Sequence, residues 1–209
     1  MFSGIIQEVG TITALESKNG LLELTISCEK ISGIEIGDSI AVDGCCQTVV
    51  SKQSSANNKQ LFTIQATQET LDKTNFKNYK IGEEINLEPS LRMGDKISGH
   101  LVSGHIDAIG IVYEIEDIEE NRIVKIEYPK ELNKYIANKG SITVNGTSLT
   151  VISSKINENF IFTFTLIPFS RDNTNLGLIK KGNPVNLEID LISRYLVNYL
   201  ESSNLPVKA

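Results

Sequence analysis

The chain aligns with itself. Phe62-Thr63-Ile64 returns as Phe162-Thr163-Phe164, and Asp72, Thr74 and Asn75 return as Asp172, Thr174 and Asn175. Gly82 matches Gly182, and Asn86-Leu87-Glu88 matches Asn186-Leu187-Glu188, all at an offset of 100. Ser3-Gly4 and Gly10 match Ser103-Gly104 and Gly110 at the same offset. Between these blocks the offset is 102, and Ser39-Ile40-Ala41-Val42-Asp43-Gly44 matches Ser141-Ile142-Thr143-Val144-Asn145-Gly146. In the stretch 39–51 seven positions are identical to their counterparts. A repeat of this period fixes the organisation before any local reading. The 209 residues are two homologous modules, 1–97 and 98–190, followed by a tail, 191–209.

Each module reads as β. Short β-branched runs at Gly10–Leu15, Leu21–Ser27, Ser39–Val42, Thr48–Ser51, Leu61–Gln65 and Glu84–Leu87 are separated by turn signals such as Asp43-Gly44 and Lys18-Asn19-Gly20. The second module repeats them at Ile109–Tyr113, Ile123–Glu127, Ser141–Val144, Thr150–Ser153, Phe160–Leu166 and Pro184–Glu188. Six short strands per module imply a small closed or nearly closed antiparallel barrel. The expected architecture is mainly β: two homologous six-stranded antiparallel β-barrels in tandem plus a C-terminal α-helix. Short helical segments are expected near Glu69–Phe76 and Lys130–Asn138. The helix is expected over Leu191–Ser202, where Leu191, Tyr195, Leu196, Tyr199 and Leu200 form an apolar stripe and Asp190 or Ser193 supplies a cap. The stripe has two possible covers, copies of itself or its own barrel.

Composition removes several function classes. Two His and three Cys without a CxxC pair do not make a structural zinc site, and they argue against haem or iron–sulfur centres. A formal net charge of −6 gives no footprint for nucleic acid or an anionic membrane. No run approaches the roughly 18 apolar residues of a membrane helix. The start Met1-Phe2-Ser3-Gly4 lacks a signal peptide's basic region and apolar run, and the cysteine count is odd, so a cytoplasmic setting is expected.

The two modules differ where chemistry can reside. Both histidines lie in Gly99-His100-Leu101-Val102-Ser103-Gly104-His105-Ile106. This stretch superficially resembles a phosphate-binding loop, but the required Lys is replaced by His105 and no long helix follows. His105 stands where the first module has Ile5, which marks it as a functional candidate with an ionisable imidazole. His100 has no such signal and reads as structural. After the paired turns, Cys45-Cys46-Gln47-Thr48 faces Thr147-Ser148-Leu149-Thr150 in the alignment. These residues satisfy the turn backbone or line a duplicated polar pocket. Asp190 replaces Ser90, either to cap the tail helix or to orient a hydroxyl or imidazole. Two like pockets that differ at a His, an Asp and a Cys/Ser suit an enzyme acting on two copies of one compound.

Taken in order, Met1-Phe2-Ser3-Gly4-Ile5-Ile6, Val42-Asp43-Gly44-Cys45-Cys46-Gln47-Thr48-Val49, Gly99-His100-Leu101-Val102-Ser103-Gly104-His105-Ile106, Val144-Asn145-Gly146-Thr147-Ser148-Leu149-Thr150-Val151 and Val185-Asn186-Leu187-Glu188-Ile189-Asp190 resemble the riboflavin synthase family over essentially the whole chain. The resemblance implies a transferase that dismutates two molecules of 6,7-dimethyl-8-ribityllumazine by four-carbon transfer, giving riboflavin and 5-amino-6-(ribitylamino)uracil. It implies no cofactor and no metal. It implies a homotrimer held partly by the C-terminal helix, with two lumazines per active site between subunits, and in some relatives docking with a lumazine synthase.

Carried over by motif, the first lumazine site would comprise Gly4, Ile5 and Ile6 with Cys46, Gln47 and Thr48, followed by Gln65, Ala66, Thr67, Gln68, Glu69 and Thr70. The second would comprise Gly104, His105 and Ile106 with Ser148, Leu149 and Thr150, followed by Thr165, Leu166, Ile167, Pro168, Phe169 and Ser170. Lys139 would reach a ligand across the subunit contact. His105, Ser148, Thr150, Asp190 and Cys46 match the family's polar catalytic groups. Gln47 departs from the family pattern, in which an apolar residue is usual. The competing reading is a non-catalytic lumazine- or flavin-binding protein of the optical antenna type, built on the same duplicated barrel.

Overall fold

A computed structural model describes residues 1–54, 59–156 and 159–203. In the first module β1 (Glu8–Lys18), β2 (Leu21–Cys28), β3 (Ser39–Val42), β4 (Cys45–Ser54), β5 (Gln60–Ala66) and β6 (Glu84–Pro89) close into an antiparallel barrel in the order β1-β2-β5-β4-β3-β6. Alternation sends Ile12, Leu24, Ile26, Val42, Val49, Phe62, Ile64, Ile85 and Leu87 inward, where all are buried. Each such burial is worth about 1.5–3 kcal/mol.

The second module keeps the expected strand order but is left open, with one strand divided in two. It forms β7 (Ala108–Ile118), β8 (Asn121–Glu127), β9 (Ser141–Val144), β10 (Thr147–Thr150), β11 (Ser153–Ile156), β12 (Asn159–Leu166) and β13 (Pro184–Ile189), a seven-stranded sheet ordered β10-β9-β13-β7-β8-β12-β11. The two end strands are the halves of the counterpart of β4, broken at Val151-Ile152. The cause is visible in the first module, where the β4–β5 register slips between Val49 and Ser51 as at a β-bulge. Ser153 still pairs with Thr163, as Ser51 pairs with Thr63, but Val151 has no ladder partner corresponding to that of Val49. The irregularity has widened until the strand splits.

Three α-helices are present among the described residues, one inside each module between its last two strands and one forming the tail. They are α1 (Gln68–Lys73), α2 (Pro168–Asn173) and α3 (Leu191–Ser202). The segment expected near Glu69–Phe76 is α1 plus a 3-10 turn, Asn75–Asn78, and that near Lys130–Asn138 is a 3-10 turn, Lys130–Tyr135. Helix α2 is the repeat's counterpart of α1. It starts with Pro168 in its first turn, where a missing N–H costs nothing. Thr74 and Thr174 each accept a hydrogen bond two residues on, from Phe76 N and Leu176 N, and so deliver Phe76 and Leu176 into the two cores. The α3 boundaries match the expected ones, and Asp190 is its cap, accepting from Ile192 N at 2.7 Å.

The modules face each other through a near-symmetric polar seam. Asp43-Gly44 and Asn145-Gly146 both have two successive positive φ values, the two-residue hairpin geometry that the sequence signals. Asn86 Nδ2 donates to Asn145 O, and Asn186 Nδ2 donates to Asp43 O. Asn86 Oδ1 accepts from Asn175 N, and Asn186 Oδ1 accepts from Asn75 N. The symmetry fails at the Asp43 position. Asp43 accepts from Tyr79 Oη at 2.6 Å, while the second module has Asn145 and Ile179 there. Burial pushes the Asp43 carboxyl up to about 7, against the pull of its Tyr79, Asn86 and Asn175 donors.

Candidate active site

The site begins with two crossing arms. Phe2 N donates to Val102 O at 2.8 Å and Val102 N returns a bond to Phe2 O, with both side chains buried. Beyond this bridge each arm is held by a carboxylate of its own module. Ser3 N and Oγ donate to Glu88 Oε1, each at 2.8 Å, and Gly4 N to Oε2 at 3.0 Å. Ser103 N donates to Glu188 Oε1 at 2.7 Å and Gly104 N to Oε2 at 3.0 Å. Burial holds both carboxyls above the ordinary range, and these donors pull them back in part.

Held this way, each arm lies over the loop of the other module. Gly4 O accepts from Ser148 N at 2.7 Å, and Gly104 O accepts from Cys46 N at 2.8 Å. Both glycines have positive φ, and a Cβ on either would come within 2.6 Å of the facing Cβ of Ser148 or Cys46. Glycine is therefore required for both the backbone angle and the approach. Ile106 packs against the core of the first barrel. Ile5, Ile6 and Phe169 line one open cavity of about 570 Å³ together with Asp172 and Asn173, a size typical of small-molecule sites.

These contacts group the candidate residues differently from the expectation. Gly4 lies against Ser148, the strand neighbour of Thr150, and Ile5 and Ile6 share a cavity with Phe169, whereas the expectation joined them to Cys46 and Thr48. Gly104, His105 and Ile106 belong with Cys46 and Thr48. We call these the serine and cysteine half-sites. The signal was in the sequence, since two arms that match each other can also be exchanged, but nothing in the spacing chooses between the pairings.

The second difference concerns the histidines. His100 Nδ1 lies 2.7 Å from Ser148 Oγ, and His100 N donates to Ser3 O. Burial lowers the affinity of this imidazole for a proton, and the nearby Asp190 carboxylate restores part of it. The expected structural histidine is thus in the serine half-site. His105 is exposed and follows Gly104, which places it in the cysteine half-site. Each half-site has one histidine.

Strand alternation sorts the remaining candidates. Cys45 points into the barrel, where burial pushes its thiol up to about 12. Cys46 is half-buried on the opposite face, packed against Phe2, Ala41 and Val102. Gln47 is buried and turned inward, its amide donating to Cys46 O at 2.8 Å and to Cys45 Sγ at 3.2 Å. Its counterpart Leu149, with Ala66 and Leu166, is also core. These four could meet a ligand only through backbone. Thr48 and Thr150 point outward and are exposed.

Gln65 donates to Glu23 at 2.7 Å, Thr67 caps α1 by accepting from Thr70 N, and Gln68 bonds Asp72 along that helix, with Glu69 exposed beside it. In the other module Thr165 is half-buried, Ile167 and Phe169 are exposed, and Pro168 and Ser170 start α2. One rim is therefore polar and the other apolar. Lys139 is exposed with φ 64°, its N–H donating to Val151 O beside Thr150. Among the described residues, no group of three or more His, Cys, Asp and Glu side chains is arranged to hold a metal.

The family model for the lumazine binding domain matches the chain twice, at residues 3–90 and 103–190. The chain is 38% identical over 202 residues to the riboflavin synthase of Photobacterium phosphoreum, covering 96% of this chain and 89% of that one. It is 36% identical over 204 residues to that of a Mycobacterium bovis strain, covering 97% and 100%. Among solved structures it resembles LumP complexed with riboflavin, with TM-score 0.79 and 27% identity, covering 90% of this chain and 99% of LumP. It also resembles LumP complexed with 6,7-dimethyl-8-(1'-D-ribityl) lumazine, with TM-score 0.77.

Proposed function

The chain belongs to the lumazine-binding domain family and is an enzyme of the riboflavin synthase kind, and from that premise we propose that it joins two 6,7-dimethyl-8-ribityllumazine molecules and moves four carbons from one to the other. The products are riboflavin and 5-amino-6-(ribitylamino)uracil. The observation that carries this reading is the pair of half-sites, each with its own histidine and a hydroxyl or thiol: His100 with Ser148, and His105 with Cys46.

The reaction needs such groups. The C7 methyl of the lumazine is acidic because its anion delocalises into the ring system. One group must take that proton and another must return protons during the later eliminations. His100 is half-buried, its affinity for a proton is lowered by that burial, and it is coupled to Ser148, which suits proton abstraction by the neutral ring. His105, exposed and next to Gly104, whose carbonyl accepts from Cys46 N, suits the second ligand. Holding two lumazines face to face supplies much of the acceleration through orientation.

One chain presents its half-sites on separate barrels, so bringing two ligands together calls for copies of the chain. The face of α3 supports this. Ile192, Tyr195, Leu196 and Tyr199 are 70%, 69%, 56% and 65% exposed, while Val197 is buried. Such an apolar face points to association, here as a homotrimer joined through the helix.

Incubation with the lumazine, with riboflavin followed by fluorescence and the pyrimidine product identified, tests the reaction. The LumP complexes give the alternative a specific footing, and tight binding without turnover would establish a flavin- or lumazine-binding antenna instead. Removal of residues 191–209 should give monomers on sedimentation with little activity, and a fully active monomer would refute the intersubunit site.

A further inference from the structure

Among the described residues, one buried side-chain nitrogen or oxygen has no partner, the Thr143 hydroxyl. Thr143 is fully buried, and the interior strongly disfavours an unpaired hydroxyl. Packing does not explain it, because the sister strand fills this register with Ala41, in the apolar cluster of Phe2 and Val102. Thr143 is directly opposite Ser148 across β9–β10 and opposite Glu188 across β9–β13. Opposed residues share a sheet face, with Cβ atoms about 4.5–5.5 Å apart. Glu188 is already engaged by Ser103 N, Ser103 Oγ and Gly104 N. Among the described residues Ser148 Oγ bonds only His100 Nδ1, and a hydroxyl has one proton to give and two lone pairs.

We propose that Thr143 is a positioning residue for the His100–Ser148 pair, its hydroxyl turning to Ser148 Oγ to complete a Thr143–Ser148–His100 relay. With a neutral ring Ser148 can donate its proton to Nδ1. Once the ring takes up a proton, Nδ1–H donates to Ser148 Oγ and the serine proton needs another acceptor, which Thr143 Oγ1 supplies. Asp190, whose Oδ1 caps α3, acts on the ring by its charge; Glu88 lies behind Ser3, and Glu188 faces Thr143 across β9–β13. The relay therefore supports the protonated ring after it has accepted a proton.

Only two histidines are present in the chain, so NMR titration of the full-length protein resolves both, with His105 as internal control. Thr143→Val, which keeps the shape and removes the hydroxyl, should lower the His100 midpoint by about half a unit, roughly threefold in the equilibrium. It should leave His105 unmoved, and Thr143→Ser should restore the value. Thr143→Ala, the sister module's residue, serves if the valine variant fails to fold. An unmoved His100 would overturn the proposal. Equal movement of His105, or a response confined to the Ser103 and Gly104 amides, would do the same. In the turnover assay the acid limb of the rate profile should shift with the His100 midpoint, and this arm alone rests on the catalytic reading above. A His100 shift in a chain that makes no riboflavin would sink that reading and leave the relay standing.

Discussion

The two modules share their strand order but differ in what their interiors tolerate. The first barrel closes fully and carries polar groups inside or at its seam, Gln47, Asp43 and Tyr79. The second places Leu149, Asn145 and Ile179 at the same positions and lets one strand break at Val151-Ile152. The difference follows function more than stability. The loop residues that face outward, Cys46 and Thr48 or Ser148 and Thr150, keep small polar character in both modules. Positions facing inward have drifted in polarity, because a barrel requires filled volume and satisfied hydrogen bonds there but no particular chemistry.

That contrast can be broken at several depths. The largest effect is expected at an arm. Gly104→Val forces a side chain onto Cys46 at a φ of +82°, and should cut turnover by about 10²-fold or more through ligand misplacement. The damage should appear first as lost binding in the cysteine half-site, and an unchanged affinity there would place His105 elsewhere. Next come the histidines. His100→Ala and His105→Ala should each lower turnover by about 10²-fold, the scale of lost acid–base assistance, in steady-state assays on folded protein. A variant with full activity would remove its histidine from the reaction.

Third is the seam. The folded Asp43 carboxyl lies near 7 against an ordinary 3.8. The protonated form is the favoured one, so its stabilising contribution is present below pH 3.8 and is lost as pH rises through about 7. Asp43→Asn, copying the second module, should flatten urea stability across that window and gain up to about 4 kcal/mol at pH 8. A variant with the wild-type pH slope would show that Asp43 is not its source. The smallest change is expected for Gln47→Leu, which exchanges one inward-facing residue for its counterpart. Stability should move by about 1 kcal/mol or less and ligand affinity should not move. A changed affinity would mean that Gln47 reaches the site.

Much of this was legible in the residues. Ser39–Val42, Ser141–Val144 and the tail helix fall where periodicity and caps place them, because local alternation and the Asp-Gly and Asn-Gly turns act over a few residues. The pairing of arms with loops was not legible. It depends on the crossing at Phe2 and Val102, a contact between residues 100 positions apart that no local pattern encodes. The role of His100 was hidden for the same reason, since its partner Ser148 lies 48 residues away. The split of the second barrel hinges on one ladder pair, below the resolution of any strand pattern.

The exchange of arms has an evolutionary consequence. A change in Gly4 is tested by the fit of Ser148, and a change in Gly104 by the fit of Cys46, so neither half of the duplicated gene can drift alone at these positions. Severing the chain between 97 and 98 would free two barrels, each still carrying the lip of the other's site. The repeats have become mutual hostages, and selection on one binding surface is exerted through the sequence of both.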